Sequence, residues 1–221
     1  MKVIGITGPT GAGKSTVLSV VRRMGGRVID CDAVYAALLD TSPALRWEIE
    51  EAFGPVFRPE GGLDRRRLAG IVFADPLRLE TLNRVTHSHV RAEVERQLEQ
   101  ARREGVLLVA VEAIALLESG LSRRCDAVVA VLAPPELRVT RVMAREGRER
   151  AAVEQRVAAQ QPDSYYIARC SHVLHNDGDR QAFEDQADRL LSSLLAEDGG
   201  TDEKTAFDGR GARSVPPGDN D

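Results

Sequence analysis

Residues 8–15 read Gly8-Pro9-Thr10-Gly11-Ala12-Gly13-Lys14-Ser15 and fit the pattern G-x-x-x-x-G-K-[ST]. Nothing else in the chain restricts its fold as much. The pattern is a phosphate cradle: glycines let backbone N–H groups turn inward, a lysine ammonium reaches the β- and γ-phosphates, and the serine hydroxyl faces Mg²⁺. It needs a strand before it and a helix after it, because the helix N-terminus adds a favourable dipole. Both are present. Val3-Ile4-Gly5-Ile6 is a short apolar run, and Val17, Leu18, Val21 and Met24 recur at helical spacing before Gly25-Gly26 ends the helix. Lysine usage points the same way. The chain has only Lys2, Lys14 and Lys204 against 27 arginines, yet writes lysine where a compact ammonium must fit between phosphates.

Arg27-Val28-Ile29-Asp30 follows as a second strand, completing a βαβ unit and favouring a parallel sheet. Residues 32–104 read as helices broken at Phe53-Gly54-Pro55 and Glu60-Gly61-Gly62. Their last helix carries Val90, Val94, Leu98 and Ala101 on one face and ends near Gly105. Val106–Val111, Ala127–Leu132 and Val173-Leu174 are three further strand candidates. Pro134-Pro135 opens a helix, and Phe183, Ala187, Leu190, Leu191 and Leu194 line a closing one. The expected architecture is an α/β core with a five-stranded parallel sheet. We expect one domain over 1–196, its core formed by 1–31, 105–137 and 170–196, with a helical insertion at 32–104 and a lid at 138–169.

The formal net charge of −4 lies entirely in residues 197–221, which hold seven acids and three bases. That tail has few apolar residues and is expected to be disordered. The rest is neutral overall, so charge gives no support for a nucleic-acid or membrane-surface role. Cys31, Cys125 and Cys170 are widely spaced and suggest neither a disulfide framework nor a zinc site. No signal peptide or apolar run of ~18 residues is evident, and a cytoplasmic protein is expected.

Several residues carry candidate chemistry. Gly11, Ala12, Gly13, Lys14, Ser15 and Thr16 form the expected ATP phosphate site, with Ser15 on Mg²⁺. Asp30-Cys31-Asp32 follows the second strand, on the sheet edge that also carries the phosphate loop. A carboxylate there can take a proton from an attacking hydroxyl or hold Mg²⁺ through water; it can equally cap a helix. Glu112 ends the third strand and is either metal-directed or a surface acid. Arg138, Arg141, Arg145 and Arg148 recur at three- and four-residue steps, either as a lid that brings guanidinium groups to a migrating phosphoryl group or as a solvated face. A lone histidine such as His87 is more often structural.

Taken in order, these motifs resemble the dephospho-coenzyme A kinase family over roughly residues 1–195. The resemblance rests on the phosphate loop, Val28-Ile29-Asp30-Cys31-Asp32, Phe53-Gly54, Gly62-Leu63-Asp64-Arg65 with Leu68-Ala69, Val72-Phe73, Leu82-Asn83 with His87, Leu117-Glu118-Ser119-Gly120, and Gln160 followed by Asn176. It implies a P-loop kinase three-layer sandwich with a helical acceptor-binding insertion and a helical lid. It also implies ATP-dependent phosphorylation of the ribose 3′-hydroxyl of dephospho-coenzyme A, the last step of coenzyme A synthesis. A monomer or weak homo-oligomer is expected. Asp32 matches the family's catalytic acid. His87 matches a position near the acceptor, and Lys14, Arg141 and Arg145 complete the expected catalytic set.

The chain departs from the family pattern at Pro9-Thr10 (usually Gly-Ile), Ser88 (Pro), Ile114-Ala115 (where the family has a proline) and Cys170-Ser171 (Ala-Asp). None removes a phosphate-loop ligand or Asp32. Two alternatives stay open at this level: a kinase for another small hydroxyl or nucleotide acceptor, and a non-enzymatic nucleotide-dependent switch.

Overall fold

The computed structural model describes residues 1–196; the acidic tail expected to be disordered lies outside the described residues. Five parallel strands form one sheet: β1 (Lys2–Thr7), β2 (Arg27–Asp30), β3 (Leu108–Glu112), β4 (Ala127–Leu132) and β5 (His172–His175). Their order is β2-β3-β1-β4-β5, so β1 is central and the phosphate loop leaves from the middle of the sheet. All pairings are parallel, with Ile6 and Asp30 both opposite Glu112.

Alternation along the strands builds two apolar layers. On one face, Ile4, Ile6, Leu108, Ala110, Val129 and Val131 pack against α1 (Lys14–Arg23) and α9 (Arg180–Ala196) through Val17, Val20, Phe183, Ala187 and Leu191. On the other, Val3, Val109, Val111 and Val128 meet Val90, Val94, Leu98 and Ala101 of α5 (Pro76–Arg103). The result is the three-layer α/β sandwich expected from the sequence. The third strand starts two residues later than expected. Gly105 turns with φ 72° and Val106 N–H returns to the Ala101 carbonyl at 3.0 Å, so Val106 closes the C-terminal cap that follows α5.

The insertion contains α2 (Cys31–Thr41), α3 (Pro43–Phe53) and α4 (Arg65–Val72) together with α5. Each starts on a side-chain cap: Asp30 accepts from Ala33 N–H at 3.0 Å, Ser42 from Leu45 N–H, Asp64 from Arg67 N–H and Asp75 from Leu77 N–H. Such caps contribute about 1 kcal/mol each. The helices enclose a separate small core around Leu45, Ile49, Phe53, Leu68 and Val85. Ser88 lies inside α5 and donates to the Val85 carbonyl at 2.7 Å.

After β4 come α6 (Pro135–Glu146), α7 (Arg150–Ala158) and α8 (Asp163–Ile167). Val139, Val142, Val153 and Val157 form a second small core between α6 and α7. Among the described residues, no helix is long and apolar enough to cross a membrane.

Candidate active site

The phosphate loop owes its shape to three glycines with positive φ: Gly8 at 130°, Gly11 at 79° and Gly13 at 108°. A Cβ on Gly8 would lie 2.2 Å from the Val131 carbonyl oxygen, and one on Gly13 would lie 2.0 Å from Asn176 Nδ2. Neighbouring segments therefore press against the loop where only glycine fits.

Those segments also hold it through hydrogen bonds. Asn176, buried just past β5, donates from Nδ2 to the Ala12 carbonyl at 2.8 Å. Gln160 Oε1 accepts from Thr10 N–H at 3.0 Å, and its Nε2 donates to Thr10 Oγ1 at 3.2 Å. Arg138 Nε donates to the Thr10 carbonyl at 3.1 Å, and its Nη2 donates to Gln160 Oε1 at 2.7 Å. Thr10, one of the departures from the family pattern, is thus bonded through its N–H, carbonyl and hydroxyl.

The expected row of four arginines on one face does not persist. Arg138 is buried against the phosphate loop, with 4% of its surface exposed, and acts as a strut. Arg141 also turns to the loop, donating from Nη2 to the Asn176 carbonyl and side-chain oxygens at 3.2 Å each, with Nη1 3.4 Å from the Gly11 carbonyl. Arg145 is the first of the series to keep a largely exposed side chain. Gly147, with φ 63°, ends α6, so Arg148 lies beyond the helix.

The loop borders a cleft of about 490 Å³. Gly11, Gly13, Lys14, Ser15 and Thr16 form its floor, with Asp30, Asp32, Glu112, Arg141 and Arg145 around it. Ala12 of the expected ATP set does not line the cleft; it is buried and contributes its carbonyl to Asn176. Sequence reasoning did not assign Asn176, Arg156, Arg180 or Phe183 to this cleft, although all four line it. Asn176 could have been found by the rule that selected Asp30 and Asp32, since it follows a parallel strand at the same sheet edge.

Lys14 Nζ donates to the Gly8 carbonyl at 3.0 Å and lies 3.5 Å from Glu112 Oε1. Glu112 is buried, so it is not the surface acid that was one reading of its sequence position. Burial lowers the Lys14 pKa, opposed first by Glu112 and then by Asp32. Burial raises the Glu112 pKa, opposed by Lys14 and reinforced by Asp30 and Asp32.

The two candidate aspartates differ in position. Asp30 is the N-cap of α2, while Asp32, in the first turn, is exposed to the cleft. Asp32 also lines a second cavity of about 150 Å³, shared with Cys31, Tyr35, Thr86, His87, Val90, Ala113, Ile114 and Ser119. His87 therefore lies in this adjoining cavity and not in the phosphate cleft. Burial lowers its pKa, favouring the neutral imidazole. The Cys31 thiol is pushed up to about 12 by burial and by the charges of Glu112, Asp30 and Asp32, so it stays protonated.

A cleft with a phosphate loop, a lysine, several arginines and a carboxylate beside a second pocket can bind a nucleoside polyphosphate and an acceptor together. Comparison with known proteins narrows this. The family model described as dephospho-CoA kinase matches residues 2–182. A dephospho-CoA kinase from Symbiobacterium thermophilum is 38% identical over 220 residues, covering 99% of this chain and 92% of the relative. One from Moorella thermoacetica is 40% identical, covering 82% and 87%. Among solved structures, a Thermus thermophilus protein superimposes with a TM-score of 0.73 at 38% identity, covering 89% of this chain and 97% of the other. The fold extends to a shikimate kinase from Acinetobacter baumannii, at a TM-score of 0.52, 18% identity and coverage of 89% and 94%. With a family model covering most of its length and relatives of this identity, the chain belongs to the dephospho-CoA kinase family.

Proposed function

We propose that the protein transfers the γ-phosphoryl group of ATP to the ribose 3′-hydroxyl of dephospho-coenzyme A, yielding coenzyme A and ADP. The observation that carries this reading is that Asp32 lines both cavities. A hydroxyl reaching Asp32 from the smaller cavity meets a phosphoryl group arriving from the phosphate loop.

In this reading Gly11, Gly13, Lys14, Ser15 and Thr16 hold the triphosphate, with Ala12 supporting the loop from behind. The acceptor oxygen bonds to the γ-phosphorus while its proton passes to the Asp32 carboxylate. The bond from the γ-phosphorus to the bridging oxygen breaks, and its electron pair leaves with ADP. Such transfers depend chiefly on positioning and on stabilising charge over the phosphoryl oxygens, a task suited to Lys14, Arg141 and Arg145. His87 and the apolar walls of the smaller cavity bind the acceptor beside Asp32.

The hydroxyl and carboxylate oxygens present suit Mg²⁺, a hard cation. Among the described residues no group of three His, Cys, Asp or Glu could hold a metal alone. Ser15 and Glu112 are the residues that would hold an ion bound together with the nucleotide. When bound, Mg²⁺ neutralises charge on the phosphates.

We further read 1–31, 105–137 and 170–196 as the core, 32–104 as the acceptor-binding lobe and 138–169 as the lid, and the protein as a cytoplasmic monomer or weak homo-oligomer. The test is to incubate the protein with ATP-Mg and dephospho-coenzyme A and analyse the products by mass spectrometry. Formation of coenzyme A with a 3′-phosphate is expected. ATP binding without that product would leave a kinase for a different acceptor.

A further inference from the structure

Beyond Arg141 and Arg145, a third lid arginine lines the phosphate cleft. Arg156 lies on α7, outside the series that helical spacing singled out, and its side chain reaches the cleft wall. It arrives there through a shared carboxylate. Glu146, the last residue of α6, accepts from Arg145 Nη2 at 2.6 Å and from Arg156 Nη1 at 3.0 and 3.2 Å. Arg148 Nε approaches the same carboxylate at 3.4 Å.

Both Arg145 and Arg156 border the cleft, whereas Glu146 does not. The carboxylate thus gathers the two guanidinium groups from behind. Each guanidinium carries five N–H donors in a planar fork. Glu146 is bonded by one terminal nitrogen of each, leaving further donor positions that can face a phosphate. Arg145 and Arg156 line the same cleft as Lys14, Ser15 and Asp32, so a triphosphate seated on the phosphate loop lies within one cavity with both guanidinium groups.

We propose that Arg156 is a further phosphate-binding residue of the phosphoryl-transfer site, and that Glu146 is a positioning residue that pairs it with Arg145. The proposal rests on the reading of the phosphate cleft given above and does not depend on the identity of the acceptor. Without Glu146, two long side chains on different helices, both about half exposed or more, would have to be ordered by the substrate alone. With it, their charges are already together when negative charge shifts during transfer.

The test uses the full-length protein and four forms: wild type, Arg156→Ala, Glu146→Gln and the double variant. Arg156 is half exposed, so its removal leaves the core intact, which thermal unfolding of each form checks. Calorimetry with ATP and with ADP, each with Mg²⁺ and no acceptor, reads contact with the terminal phosphate. Steady-state turnover reads transfer.

For Arg156→Ala we expect kcat to fall by about 10- to 100-fold and the preference for ATP over ADP to fall by at least about 5-fold. Glu146→Gln should lower kcat by about 3- to 10-fold with KM for the acceptor unchanged. If Glu146 acts through Arg156, its effect must shrink in the Arg156→Ala background. Turnover and nucleotide preference of Arg156→Ala both within 2-fold of wild type would overturn the binding role. A Glu146→Gln effect equally large with and without Arg156 would overturn the positioning role. If wild type makes no coenzyme A, the proposed function fails, while the ATP-over-ADP preference still decides the role of Arg156.

Discussion

Lys14 Nζ lies 3.5 Å from Glu112 Oε1 in a pair whose side chains are only 11% and 12% exposed. Burial pulls the lysine pKa down and pushes the glutamate pKa up, and each charge partly restores the other. Because Glu112 is raised, its contribution to stability is present at low pH and is lost as pH rises through its folded value. Because Lys14 is lowered, its contribution is present at high pH and is lost as pH falls through its folded value. Where both groups are charged, the fold bears the cost of burying them. In the mechanism proposed above, the pair serves phosphate binding at the expense of stability. We predict that Lys14→Met combined with Glu112→Gln unfolds at or above the wild-type temperature at pH 7 and has no measurable turnover. Lys14→Met alone, with Glu112 left unpaired, should be less stable than the double variant by about 1 kcal/mol or more. A double variant less stable than Lys14→Met alone would contradict this account of the pair.

Gly13 has φ 108° and no room for a Cβ beside Asn176. Gly13→Ala should cost about 1–3 kcal/mol from backbone strain and weaken ATP binding more than about 10-fold, because Asn176 must release the Ala12 carbonyl. Gly61, with φ 97° in open space, is the control. Gly61→Ala should be strained but bind ATP like wild type, measured by calorimetry. Equal loss of ATP binding in both variants would show that strain alone, and not the Asn176 contact, governs the loop.

Arg141 and Arg145 should respond differently. Arg141 braces the loop and Asn176, so Arg141→Ala should weaken ATP binding by about 10-fold as well as slow turnover. Arg145 bonds to Glu146 and not to the loop. Arg145→Ala should therefore lower kcat by about 10²-fold while ATP affinity stays within about 5-fold. Reversed effects in nucleotide titration and steady-state kinetics would contradict these placements.

Most of the core was legible because two signals agreed. Short apolar runs marked β1, β2 and β4 while the phosphate-loop pattern required a strand before it and a helix after it. The helical insertion was legible from Gly and Pro breaks, but its separate core around Leu45 and Ile49 was not, since that core joins residues from four helices. The arginines of α6 show a sharper limit. Spacing put Arg138 and Arg145 on one face, yet Arg138 is buried under Thr10 and Arg145 stays exposed. Periodicity reports which side of a helix a residue occupies; it does not report that the first turn of that helix abuts the phosphate loop. Arg156 and Arg180 escaped notice because their positions depend on how α7 and α9 pack. Position alone did not separate Asp30 from Asp32, since aspartate suits both a cap and a base; the resemblance favoured Asp32, and the bond from Ala33 N–H makes Asp30 the cap.

The central claim is that Asp32, at the junction of the two cavities, accepts the acceptor's proton. The most direct measurement compares Asp32→Asn with Asp30→Asn for turnover of dephospho-coenzyme A with ATP-Mg, alongside ATP affinity. Asparagine retains the size of aspartate and one acceptor oxygen but lacks its charge and basicity. Asp32→Asn should bind ATP within about 3-fold of wild type and lose on the order of 10²–10⁴-fold in kcat. Asp30→Asn should keep most of its turnover, because asparagine caps a helix nearly as well. Full turnover in Asp32→Asn would contradict the account, whatever Asp30→Asn does.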